Sequence, residues 1–175
     1  ADPADGAATI AAMISNSGLG QVVSVLIPIG LLSFVHGITI LQGSAKSGGS
    51  LEPLSRIGVQ FVWVGVIGWV IGSGMTLAIT GSGFPAEQAV PLFGSLYSAT
   101  VGLGTVAGII VGIGFLLLAL AISTRGEHNK IAALVAAVAA VVAIIVTIIG
   151  GMDTSQLQNM TQITGVIYLV HMVWF

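Results

Sequence analysis

The sequence predicts an all-α integral membrane protein: four transmembrane helices arranged as two antiparallel hairpins, with the N-terminus outside and a short apolar segment at the C-terminus. Three observations lead there. Only 6% of the 175 residues are charged, 55% are hydrophobic and the mean hydropathy is +1.09. An ordinary soluble domain is about one quarter charged, so four basic and six acidic side chains are too few to cover a water-facing surface of this size. Apolar windows of membrane length recur four times, and all the lysines and arginines fall in two short connections.

Residues 1–21 form an extracytoplasmic N-terminal segment. It begins "ADPADGAATI" at Ala1 with no methionine, the start expected after removal of a signal peptide at a small-residue cleavage site; a choice of numbering is the plainer alternative. Ile10, Met13 and Ile14 share one face of a short amphipathic helix here. Residues 22–80 form the first hairpin. A hydrocarbon core of about 30 Å takes roughly 20 apolar residues as a helix, and Val22–Leu41 and Ile57–Thr80 both meet that length. "QGSAKSGGSLEPLSR" joins them as a flexible, Gly/Ser-rich turn. The connection 81–95, "GSGFPAEQAVPLFG" and the serine after it, is extracytoplasmic, with Pro85 and Pro91 as breakers. Residues 96–150 form the second hairpin, from spans Leu96–Ile122 and Ile131–Gly150 joined by "STRGEHNK". The tail 151–175 ends in "ITGVIYLVHMVWF", 13 residues and too short to span. It is expected in the membrane interface or docked on a neighbouring subunit, with a span cut short at Phe175 as the remaining alternative.

Charge sets the orientation. Lys46 and Arg56 lie in one intra-hairpin turn, and Arg125 and Lys130 in the other. The N-terminus, the central connection and the tail carry Asp2, Asp5, Glu87 and Asp153 with no basic residue. The positive-inside rule therefore makes both turns cytoplasmic and everything else extracytoplasmic.

No reaction chemistry is legible. With no cysteine, there is no disulfide framework, thiolate metal site or redox pair. A net charge of −2 excludes a polybasic nucleic-acid surface as the dominant feature. No Asp, Glu, Lys or Arg lies inside any of the four windows, which argues against a rotor or pump needing a carboxylate at mid-depth. Catalytic residues, a metal site and a cofactor are not expected, apart from bound lipid. His36 and Gln60, at matching depth on adjacent spans, are expected to hydrogen-bond across the first hairpin. The sharper alternative pairs His36 with His171 as haem or metal ligands, against the topology, which puts His171 on the outer side. His128 sits in a polar turn and is read as solvated.

The small residues are more informative. Gly104, Gly108 and Gly112 share one helical face, Gly68 and Gly72 another, and Ala132, Ala136 and Ala140 a third. Small faces let helix backbones approach closely where lipid offers no hydrophobic drive to associate. They serve packing within the chain, and part of that surface is expected to remain for self-association. A weak internal repeat overlays Pro28 on Gly112 and Lys46 on Lys130, although apolar sequence of low complexity also aligns with itself by chance.

The stretch "VSVLIPIGLLSFVHGITILQGSAKSGGS" followed by "IGVQFVWVGVIGWVIGSGMTLAIT" resembles the small Gly/Ala-rich membrane subunits and pilins of conjugative and Dot/Icm-like type IV secretion systems. The resemblance is one of layout and small-residue texture over about Ser15 to Gly151. The doubled hairpin and the apolar tail depart from those pilins. The resemblance implies a subunit stored in the prokaryotic inner membrane and extracted into a helical, lipid-containing filament. Its partners would be membrane lipid, copies of itself and nucleic acid passing through a lumen lined by Lys46, Arg56, Arg125 and Lys130. Two other readings fit the texture: a membrane-embedded capsid protein of a spindle-shaped archaeal virus, and an accessory four-helix subunit of a respiratory or oxygenase complex.

Overall fold

Each apolar run closes into a helix in the computed structural model, which describes residues 2–44, 51–126 and 129–174. The order is α1 (Gly6–Ser15), α2 (Ser17–Ser44), α3 (Glu52–Thr80), α4 (Ala86–Ser123), α5 (Lys130–Met152), a 3-10 turn at Thr154–Gln156, and α6 (Leu157–Trp174). No strand occurs among the described residues. α2, α3, α4 and α5 are each long and apolar enough to cross a membrane.

Local chemistry sets the ends. Asp5 caps α1 by accepting from the Ala8 amide, and Asn129 caps α5 by accepting from the Ile131 and Ala132 amides, so each side chain satisfies amides that have no carbonyl partner within the helix. Pro53 lies in the first turn of α3, where its missing N–H costs no helical bond. Gly83, at φ +72°, turns the chain from α3 into α4, a backbone conformation glycine adopts without penalty.

From α2 onward, successive helices run antiparallel, as their contacts show. Gln21 meets Thr80 and Thr39 meets Trp63 between α2 and α3. Gly58 lies opposite Gly114 and Gly65 opposite Ala107 between α3 and α4. Gly112 faces Ile144 between α4 and α5, and Gly150 faces Met160 between α5 and α6. The most extensive contact is α3 on α4, which crosses the expected boundary between hairpins. The helices therefore form one continuous meander with α4 at its centre, rather than two self-contained pairs.

That seam depends on the absence of side chains. A Cβ on Gly65 would lie 2.7 Å from the Ala107 carbonyl oxygen and 2.4 Å from Val111 Cγ2. One on Gly114 would lie 2.8 Å from the Gly58 carbonyl oxygen. Val62 and Val66 interlock with Val111 and Phe115 between these points, and Val35, Ile38, Leu118, Ala140, Ala143 and Tyr168 complete the core.

Two segments differ from expectation. α4 starts at Ala86 and contains Pro91, so the connection shrinks to 81–85. Proline at that position forfeits one helical hydrogen bond without ending the helix. Its 38 residues reach about 57 Å, and α1 packs along the extra length. Ile10, Ile79, Ala89 and Tyr97 form a second small core there, flanked by Met13, Ile14 and Phe93, and the Tyr97 hydroxyl donates to the Pro3 carbonyl at 2.8 Å. The tail, expected in the interface or on another subunit, instead forms α6 and folds back along α5 of its own chain, anchored by Tyr168 and His171.

The seam makes a sign prediction. Gly65→Ala should destabilise the fold by about 1–3 kcal/mol, the cost of overpacking. Gly74→Ala, whose Cβ meets nothing within 4 Å, should stabilise it by up to about 1 kcal/mol through helix propensity. Reversible unfolding in mixed micelles checks both.

Candidate functional site

The small residues singled out in the sequence divide among different neighbours. A Cβ on Gly68 would lie 2.9 Å from Ala107 Cβ, and one on Gly72 3.7 Å from Thr100 Cγ2, so both belong to the α3–α4 seam. Gly108 and Gly112 face the other way: their added Cβ atoms would meet Thr147 Cγ2 at 3.4 Å and Ile144 Cγ1 at 2.7 Å on α5. A Cβ on Gly104 would meet nothing within 4 Å. Ala140 is buried, whereas Ala132 and Ala136 are half-buried. The tightest approaches to another helix's backbone use Gly58, Gly65 and Gly114, which a search at four-residue spacing passes over. Their signal is a seven-residue interval: 58, 65 and 72 on α3 against 107 and 114 on α4, the repeat of a left-handed crossing.

A groove of about 710 Å³ runs along α4, with α2 and α3 on one side and α6 on the other. Leu31, Trp69, Gly104, Thr147 and Tyr168 are among its lining. Of the hydroxyls that face it, those of six threonines and one tyrosine have their protons already spent. Thr76, Thr100, Thr105, Thr147, Thr161 and Thr164 each donate to the carbonyl four residues earlier. The Tyr168 hydroxyl donates to the Gly108 carbonyl at 2.6 Å. A hydroxyl committed to a backbone carbonyl has no proton left to offer a ligand. The groove with these threonines and Tyr168 therefore suits a hydrocarbon surface.

Phe115, fully buried, gathers the helices at the closed end of this face. Its ring meets Phe34 of α2 edge-on at 6.3 Å, Tyr168 at 5.9 Å and His171 in a near-parallel stack at 4.9 Å. Trp69 of α3 packs 5.6 Å from Tyr168 and donates its indole N–H to the Gly104 carbonyl at 3.3 Å. His171 has both ring nitrogens on carbonyl oxygens, Nδ1 to Ile167 at 2.8 Å and Nε2 to Ala136 at 2.9 Å. Both nitrogens therefore face backbone carbonyls of the bundle interior. Among the described residues no group of three His, Asp or Glu side chains is placed to hold one.

His36 and Gln60 are both exposed and no hydrogen bond joins them. The polar links between α2 and α3 are instead Trp63 Nε1 to Thr39 Oγ1 at 3.1 Å and Gln21 Nε2 to the Thr80 carbonyl at 3.1 Å. Arg56, Arg125 and Lys130 lie at one end of the bundle, beside the α2–α3 and α4–α5 turns. Arg56 and Lys130 are exposed, while Lys46, Glu127 and His128 lie outside the described residues. Arg125 behaves differently from its neighbours. Its side chain is 5% exposed and ion-paired with Glu52, whose carboxylate also accepts from Gln42 Nε2 and Ser55 Oγ at 3.2 Å each. The pair ties the start of α3 to the end of α4, so Arg125 is a structural clasp and not part of a basic surface. A single arginine in a turn gives no sign of this in the sequence.

No protein-family model, curated protein or solved structure matches the chain. The reading of its function therefore rests on its own residues.

Removing one partner of the clasp strands the other. Glu52→Gln should cost about 3 kcal/mol, the low end for breaking a buried pair, because Glu52 stays 21% exposed. The double change Glu52→Gln with Arg125→Met should recover most of that loss in the same unfolding measurement.

Proposed function

We propose that the chain is a structural subunit of a membrane-derived helical assembly, in its fullest form a conjugative or type IV secretion pilus. One observation carries the reading. α2 is the span with the least of its surface inside the bundle, and Gly30, Ser33 and Gly37 lie exposed along one of its faces. Added Cβ atoms at Gly30 and Gly37 would meet nothing within 4 Å. A bare, flat strip of backbone flanked by exposed Leu26, Ile29 and Ile40 is the surface on which a second helix gains close van der Waals contact. The glycines of α3 and α4 at the seam are consumed within the chain, as is Gly20 of α2 against Thr80; Gly30 and Gly37 are not.

In this reading the end bearing Arg56 and Lys130 faces the cytoplasm in the stored subunit, by the positive-inside rule, and the lumen in the filament. Those two side chains, with Lys46 in the same turn region, give the lumen a positive field that favours passing nucleic acid. Arg125 is neutralised by Glu52 and drops out of that lining. Membrane lipid covers the exposed apolar faces of α2 and α5 in the prokaryotic cytoplasmic membrane.

Two experiments test the reading. The double change Gly30→Leu with Gly37→Leu should leave a folded, inserted monomer and abolish higher assemblies in shear-released material seen by electron microscopy; normal filaments would count against it. A cysteine placed at Ser47 should resist an impermeant thiol reagent applied outside intact cells, and its labelling would reverse the orientation.

A further inference from the structure

Gly104 of α4 and Gly165 of α6 both line the groove of about 710 Å³, and an added Cβ at either would meet nothing within 4 Å. Glycine is a poor helix former. Along the seam its use follows from close backbone approach; at these two positions nothing comes that close. What the two glycines widen is the groove. No charged residue lines it, and α2 and α6, its outer walls, make no extensive contact with each other. Its volume falls among those of small-ligand sites, roughly 300–1,000 Å³. It is also long, about 12 Å along α4 from Thr100 to Gly108 and about 22 Å along α6 from Leu157 to Met172.

We propose that this groove binds one hydrocarbon chain of a zwitterionic phospholipid, with the headgroup at the end of the bundle that carries α1. Its walls come largely from helices long and apolar enough to cross a membrane, so the medium at its opening is lipid chain. A chain of one leaflet runs through about half of a ~30 Å hydrocarbon core, a length that the groove matches. Flexible hydrocarbon follows an uneven wall such as Leu31, Trp69, Met160 and Met172, whereas a second helix calls for a flat strip like that of α2. Ser73 supplies a polar point. It lines the groove beside Gly72, toward the α1 end, and among the described residues its hydroxyl has no hydrogen-bond partner. That hydroxyl is left to donate to an ester carbonyl of the lipid.

Charge selects the headgroup. Pro3 and Leu157 line the groove where it adjoins a second cavity of about 750 Å³ beside α1, which Ala4, Tyr97 and Ser98 also line. Asp2 and Asp5 flank Pro3 and Ala4 in the chain, Asp153 precedes Leu157 by one helical turn's worth of residues, and all three are exposed. The described basic residues Arg56, Arg125 and Lys130 sit at the opposite end. An ammonium-bearing headgroup therefore meets opposite charge beside α1, and a net anionic one meets like charge. Both this reading and the assembly reading place the chain in a membrane. A single copy provides every lining residue, however, so lipid retention and filament formation fail separately.

The test reconstitutes the full chain in vesicles of equal phosphatidylethanolamine and phosphatidylglycerol, extracts it in maltoside detergent and identifies the retained lipid by native mass spectrometry. One phosphatidylethanolamine per chain is expected, favoured about fivefold over phosphatidylglycerol, the effect of a single charge near a headgroup. Gly104→Leu with Gly165→Leu should lose that lipid at unchanged helical content. Asp2→Asn, Asp5→Asn and Asp153→Asn together should keep a lipid and lose the preference. No retained phospholipid, a preference for phosphatidylglycerol, undiminished retention with both leucines in place, or an unchanged preference in the asparagine variant would overturn the proposal. If the leucine variant fails to fold, brominated phosphatidylethanolamine titrated into the delipidated native sequence decides the matter. Trp69 lines the groove, so its emission should be quenched in a saturable phase that Trp69→Phe removes; quenching that never saturates would refute the site.

Discussion

The rest of the structure depends on the contact of two backbones along the α3–α4 seam. Gly58 and Gly65 on one helix and Gly114 on the other leave no room for a β-carbon. That closeness lets Val62, Val66 and Val111 fill the space between them completely. Once α3 is fixed on one side of α4, Gly112 admits Ile144 and sets α5 on the other. The remaining face of α4 is left for α2 and α6, whose aromatic side chains converge on Phe115. The groove is what remains where these two outer helices stay apart.

This arrangement grades the helices by commitment. α4 is mostly enclosed, α3 half so, and α2 shows most of its surface. Glycine accordingly means different things along the chain. At the seam it removes bulk so that two helices of one chain meet; at Gly30 and Gly37 of α2 the same residue lies over open space. The buried Arg125–Glu52 pair adds a polar lock at one end, and the α1–Tyr97 contact adds one at the other. Between them the groove-lining threonines donate to carbonyls of their own helices.

Much of the fold was legible because hydropathy and helix length are properties of contiguous sequence. The four apolar windows, the α1 face of Ile10, Met13 and Ile14, and the turn signals all belong to that class. Three features were not legible. Pro91 reads as a breaker, yet a helix tolerates it on an exposed face, so α4 begins ten residues early. The apolar tail reads as too short to span, but hydrophobic length says nothing about Tyr168 and His171 finding carbonyls on α4 and α5. Four-residue spacing drew attention to Gly104, where a Cβ would meet nothing, while the seven-residue interval of Gly58, Gly65 and Gly72 marked the true seam. The His36–Gln60 link failed to form because matching depth does not fix which way two side chains point.

The register of the seam is the claim on which the others rest, and a cross-link tests it directly. An added Cβ on Gly72 would lie 3.7 Å from Thr100 Cγ2, so cysteines at these two positions have their sulfurs within reach of each other. In membranes carrying Gly72→Cys with Thr100→Cys, mild oxidation should yield an intramolecular disulfide in nearly every copy. No cross-link, or one formed only between separate chains, would contradict the seam.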